Sequence, residues 1–172
     1  AQQRRAEQAA EIERQRVAAT FTDEERRTLL RGMLLTRATD NRLKAFFTSG
    51  EVRYGTRSFQ GKGFRSLGQE AIYGAGLRLH RGAGFRREDG TWTGDVVAPV
   101  IRDLGIALAM RGDDDAVAMI LRAQMGKAGP PMRGKDLHVG DFSWGILPAA
   151  APLAIGSLTM AGMALAFARD GS

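Results

Sequence analysis

Along residues 22–48, apolar side chains at Leu30, Met33, Leu34, Leu43, Phe46 and Phe47 recur at spacings of three and four or combinations of them. That is the period of an amphipathic helix with one face to bury. Thr22-Asp23-Glu24-Glu25 has the form of a capping box, in which the Thr22 hydroxyl accepts from the third helical amide and Glu25 reaches back to the cap amide. Ser49-Gly50 stops the helix. The charges between, such as Arg37, Asp40 and Arg42, form a solvated or subunit-facing stripe. Residues 1–18 are good helix formers with few apolar anchors beyond Ile12 and Val17, and predict a solvated helical arm.

The pattern then changes. Residues 51–65 mix Gly55, Gly61 and Gly63 with Tyr54, Phe59 and Phe64, which favours a loop or short irregular strands. Leu67–Leu79 is helix-like, with Ser66 as a possible cap and Gly74 and Gly76 allowing another element to approach closely. A polar, glycine-rich excursion leads into residues 95–100, a short apolar run suited to a buried parallel strand. Residues 103–111 and 113–124 predict two short helices broken at Gly112. Met125–Gly145 is a long loop, and loops of that length inside a domain are usually functional. Pro148–Arg169 predicts a helix too apolar to be exposed.

This order predicts an α/β fold, helix-rich with a parallel sheet of which only one interior strand is visible. It divides into an arm over residues 1–20 and a domain portion over 21–172 that reads like a truncated piece of a longer polypeptide.

Composition narrows the chemistry. The 172 residues contain no cysteine, which removes disulfides, thiolate nucleophiles and thiolate metal sites, and fits a cytoplasmic location. Twenty-five basic and 19 acidic residues give a net charge of +6, which attracts phosphate-bearing partners. The basic residues are scattered among acidic ones and aromatics are only 7%, so no stacking surface for nucleic acid is evident. No apolar run has the roughly 20 residues of a membrane span.

Several positions could carry chemistry. Arg102 follows the expected strand at its C-terminal end, where open α/β sheets bind ligands and where a guanidinium suits a diphosphate. The bland alternative is a surface arginine paired with Asp103 or Asp95. Residues 143–148, Ser-Trp-Gly-Ile-Leu-Pro, form an apolar turn where a flat ring could approach, or a plain turn that buries Trp144 and Ile146. His138 is a potential proton carrier, or a histidine that only braces its loop. Gln69 and Glu70 read as braces for neighbouring loops.

Taken in order, these segments resemble the alpha subunit of the thiamine-diphosphate-dependent 2-oxo acid dehydrogenase family, the first component of pyruvate- and branched-chain-type complexes. MLLTRATDNRLKAFF resembles the family's first long helix, FRSLGQEAIYGAG its Gly-Gln-Glu-Ala helix and VIRDLG its Tyr-Arg turn. MRGKDLHVGD is similar to its histidine loop, and GILPAAAPLAIG to its cofactor turn and following helix. The likeness spans roughly residues 30–168.

The resemblance implies a thiamine-diphosphate-binding domain, of which this is the N-terminal part. It implies diphosphate binding by Arg102, contact of Gly145 and Leu147 with the aminopyrimidine, a catalytic role for His138, and Phe64 in the 2-oxo acid pocket. Ile101 and Leu104 stand where the family usually has tyrosine and histidine. The family's Mg²⁺-binding segment falls after Ser172, so Mg²⁺ ligands are expected outside this chain. The implied reaction is decarboxylation of a 2-oxo acid and transfer of the acyl group to a lipoyl domain. Its implied partners are a beta subunit or fused beta domain, which supplies the glutamate that activates the cofactor, and the lipoyl acyltransferase of a multienzyme complex. A related thiamine enzyme such as acetoin dehydrogenase, and a noncatalytic basic helical binding module, are the competing expectations.

Overall fold

The computed structural model describes residues 2–58, 64–135 and 138–170. Positions 59–63 of the expected 51–65 loop, and Asp136 and Leu137 of the 125–145 loop, lie outside the described residues, as do Gly171 and Ser172. The chain is helix-rich. Helix α1 spans Gln2–Ala19, α2 Asp23–Thr48, α3 Leu104–Arg111, α4 Asp115–Gln124 and α5 Ile155–Asp170. Among the described residues the sheet consists of two antiparallel strands, β1 (Arg53–Tyr54) and β2 (Arg57–Ser58).

Helix α1 is the expected solvated arm in that none of its residues is buried. Helix α2 begins with the capping box: Thr22 Oγ1 accepts from Glu25 N at 3.1 Å, and Glu25 accepts from Thr22 N at 2.8 Å. Its buried face matches the expected one at Leu43 and Phe46 and departs from it in the N-terminal half. Leu30 and Leu34 are exposed, and the buried line runs through Gly32, Thr36, Thr39, Asp40, Leu43 and Phe46. The cause is close packing: a Cβ at Gly32 would collide with the Tyr73 ring, so small residues on α2 select the face that the next element can approach. Asp40, expected in a solvated stripe, is almost fully buried.

That next element is a 3-10 helix at Glu70–Gly76, shorter and tighter than the helix expected over 67–79. Ser66 does not cap it; its N–H donates to Asp40 Oδ1 at 2.8 Å. The glycines act as anticipated, since a Cβ at Gly76 would sit 2.7 Å from Ala109 Cβ. Helix α2, the 3-10 helix and α3 pack together, and α4 joins α2 and α3. Helix α3 is buried from Gly105 to Met110, as its all-round apolar composition requires. Leu108, Met110, Ile120 and Ile146 form the innermost core.

The parallel sheet expected around residues 95–100 is reduced to two isolated parallel bridges, Val97 to Ile146 and Val100 to Ala150. Backbone hydrogen bonds join the segments: Val97 N donates to Gly145 O at 2.8 Å and Leu147 N to Val97 O at 2.9 Å. The last helix corrects another expectation. It starts at Ile155 because Pro152 and the left-handed Ala154 (φ 68°) end any earlier helical path. None of its residues is buried, and Leu158 is 76% exposed, although its composition called for cover. No described helix is long and apolar enough to cross a membrane.

Two ion pairs tie α2 to the segment that carries the 3-10 helix. Arg78 Nε donates to Glu25 Oε1 at 2.8 Å, and Arg37 Nε to Glu70 Oε1 at 2.5 Å. The Arg78 hydrogen bond holds the Glu25 pKa down at about 2, and the Arg37 hydrogen bond does the same for Glu70, from an ordinary 4.5 in both cases. A carboxylate depressed on folding contributes stability above its unfolded pKa and loses it as the pH falls through the folded value. The urea midpoint should therefore fall from about pH 4.5 towards pH 2. The Glu25→Gln, Glu70→Gln double variant should be less stable at pH 6 and show a flatter acid limb; parallel curves for the two proteins would exclude this role.

Candidate functional site

At the end of the segment that pairs with residues 146–150, the chain turns through Ile101 and Arg102 into α3. Asp103 closes this turn: its N–H donates to Val100 O at 2.9 Å and its carboxylate accepts from Val100 N at 3.0 Å. Arg102 is exposed and pairs with neither Asp103 nor Asp95 through a salt bridge. Its Nε donates to Arg65 O at 2.8 Å and its Nη2 reaches Leu67 O at 3.5 Å, while Nη1 has no hydrogen-bond partner among the described residues. The guanidinium is thus anchored along one edge, with a donor edge left over.

The anchor is itself anchored. Arg65 Nε donates to Asp40 Oδ2 at 2.5 Å and Arg65 Nη2 to Asn41 Oδ1 at 2.9 Å. The Asp40 side chain is only 2% exposed, so this pair is fixed by the α2 backbone. A continuous set of contacts therefore runs from the interior of α2 through Arg65 to Arg102. The Gly-Gln-Glu-Ala segment braces the same loop: Glu70 Oε1, bound to Arg37, also accepts from Gly68 N at 3.2 Å.

Phe64 and His138, 74 positions apart in the chain, come together with ring centroids 6.1 Å apart. They line one cleft with Ser66, Pro99, Ile101, Asp103 and the inward face of α4, and Arg102 does not line it. The cleft spans about 410 Å³ and opens to solvent. It is a narrow apolar slot with polar groups at its edge. Gln124, a residue that sequence reasoning did not single out, adds a buried amide: its Oε1 has no hydrogen-bond partner among the described residues. A donor on a ligand would satisfy it. The signal was present in the sequence, because Ala116, Met119, Ile120 and Ala123 mark the buried face of α4 and Gln124 falls on it.

Gly145 and Leu147 lie beside Val97 and do not line this cleft. Gly145 is left-handed (φ 67°) and ends the 3-10 turn Phe142–Trp144. Its N–H donates to Phe142 O and its carbonyl accepts from Val97 N, so both backbone groups are committed. The Trp92 indole and Asp95 carbonyl fill the space beside its Cα. Val97, its partner, is five residues upstream of Arg102, at most roughly 18 Å of extended backbone.

The residues fit a phosphorylated cofactor unevenly. The Arg102 edge suits a diphosphate, and Leu147, partly exposed, can meet a ring. Gly145 has no uncommitted backbone group to offer the ring and serves instead to shape the turn. No group of three or more His, Asp or Glu side chains able to hold a metal occurs among the described residues. Comparison with protein families, curated proteins and solved structures returns no match for this chain.

Proposed function

We propose that the chain is the N-terminal part of the alpha subunit of a thiamine-diphosphate-dependent 2-oxo acid dehydrogenase, decarboxylating a 2-oxo acid and passing the acyl group to a lipoyl domain. One observation carries the reading. Phe64, assigned to the 2-oxo acid pocket, and His138, assigned a catalytic role, share a cleft with the residues on either side of Arg102, although Arg102 itself does not line it. In this reading residues 21–172 are a portion of the cofactor domain and residues 1–20 its arm. The paired segments 97–100 and 146–150 are the start of the domain's parallel sheet.

The cofactor, when bound with Mg²⁺, supplies the electron sink for decarboxylation. The chain's own residues bind and orient. Arg102 holds the diphosphate through the donor edge that Arg65 and Leu67 leave open. Leu147 supports the ring, and Gly145 allows the turn to close. Phe64 walls the substrate pocket against water, and His138 at its edge hydrogen-bonds the carboxylate or carbonyl oxygen of the substrate. The activating glutamate comes from a beta subunit or fused beta domain, and Mg²⁺ ligands lie outside this chain. The assembly is a heterotetramer that works with a lipoyl acyltransferase in the cytoplasm. The uncovered apolar face of α5 is consistent with cover by such a partner.

In the complex with its beta partner, Arg102→Ala is expected to weaken thiamine diphosphate binding by about 1.5–3 kcal/mol, the worth of a charge-assisted hydrogen bond. Titration calorimetry measures it directly. An unchanged affinity would remove Arg102 from the site and the proposal with it.

A further inference from the structure

Arginine is concentrated at a second cleft, bounded by α4, the loop after it and the Phe142–Trp144 turn, with about 1120 Å³ of open volume. Four guanidiniums line it, those of Arg86, Arg111, Arg122 and Arg133, against the carboxylates of Asp115 and Asp141. Both carboxylates are engaged already. Asp115 accepts from Arg111 Nη2 at 3.2 Å, and Asp141 Oδ1 accepts from Ser143 N at 3.1 Å and Ser143 Oγ at 2.7 Å.

The four cations are not equivalent. Arg111 and Arg86 lie over the Trp144 ring, 4.6 and 5.6 Å from its centroid, and Arg111 is tied further to Asp113 at 2.7 Å. The guanidiniums of Arg122 and Arg133 have no hydrogen-bond or ion-pair partner among the described residues. One comes from α4 and the other from the following loop, so they approach the same concavity from different elements. Like charges gathered in one cleft repel each other and raise the local concentration of anions.

We propose that this cleft binds a phosphorylated small molecule, held chiefly by Arg122 and Arg133. Phosphate fits better than carboxylate because it offers up to two charges and three acceptor oxygens, enough to engage forked donors arriving from two directions. The indole beneath Arg86 and Arg111 keeps those two guanidiniums in place as a positive background rather than as the principal ligands. Arg102 does not line this cleft, so the site stands independently of the proposed cofactor site.

Titration calorimetry on the full chain at low ionic strength, with inorganic pyrophosphate as the probe, tests it. In an Arg102→Ala background, which removes the proposed cofactor site's own affinity for pyrophosphate, binding is expected, with affinity reduced at least tenfold by Arg122→Gln and by Arg133→Gln. Both arginines are exposed, so the glutamine variants should keep the native circular dichroism spectrum. Acetate at matched ionic strength should give no comparable heat. In that background, absence of pyrophosphate binding, binding that survives both glutamine substitutions, or equal binding of acetate would each overturn the proposal.

Discussion

Replacement of Gly145 by alanine is expected to destabilise the chain by about 2–5 kcal/mol, one of the two largest effects the structure supports. A left-handed backbone costs a residue with a Cβ roughly 1–2 kcal/mol. The added atom would also collide with Asp95 O and the Trp92 indole, whose Cε2 would lie 2.8 Å away. Neither neighbour can retreat cheaply, because Trp92 Nε1 donates to Asp95 O at 2.8 Å and Asp95 N to His80 O at 2.8 Å. Overpacking of that kind adds roughly 1–3 kcal/mol. Urea denaturation measures the sum; a loss below about 1 kcal/mol would show that the 92–95 loop yields freely and that Gly145 is not a structural pivot.

Arg65→Met is expected to cost about 2–4 kcal/mol. It strands the carboxylate of Asp40, whose side chain is 2% exposed, with only the Ser66 amide as its remaining hydrogen-bond donor among the described residues. Breaking a fully buried pair typically costs roughly 3–5 kcal/mol; Arg65 is 28% exposed, and water screens part of that. The decisive measurement is a double-mutant cycle. In an Asp40→Leu background, Arg65→Met should cost far less, because no charge is left behind. Equal costs in both backgrounds would assign the effect to lost packing of the arginine stem.

Local signals were legible in the sequence where they depend on neighbouring residues. The Thr22–Glu25 capping box, the stop at Ser49-Gly50 and the break at Gly112 all lie where their residue types put them. Face selection was legible in the C-terminal half of α2, at Leu43 and Phe46, and not in the N-terminal half. Leu30 and Leu34 are more apolar than Thr36 and Thr39, yet the threonines are inside, because the 3-10 helix packs against the narrow side of α2. Long-range pairing was legible only in part. Residues 97–100 are extended and meet 146–150 in parallel, but a ladder long enough to form a strand requires more than two bridges. The site followed the same rule. Gln124 was marked by the period of α4, whereas the meeting of Phe64 with His138 and the Asp40–Arg65 pair depend on packing that no single stretch of sequence encodes.

Under the proposed function, in which Arg102 holds a diphosphate, the set of contacts from Asp40 to Arg102 makes ligand affinity and folding one inherited trait. Because the carbonyl that steadies Arg102 belongs to the residue whose side chain neutralises Asp40, drift at position 40 or 65 misaims the guanidinium well before the chain falls apart. Laboratory evolution towards tighter phosphate capture would thus do better to leave Arg102 alone and to mutate the floor on which it stands.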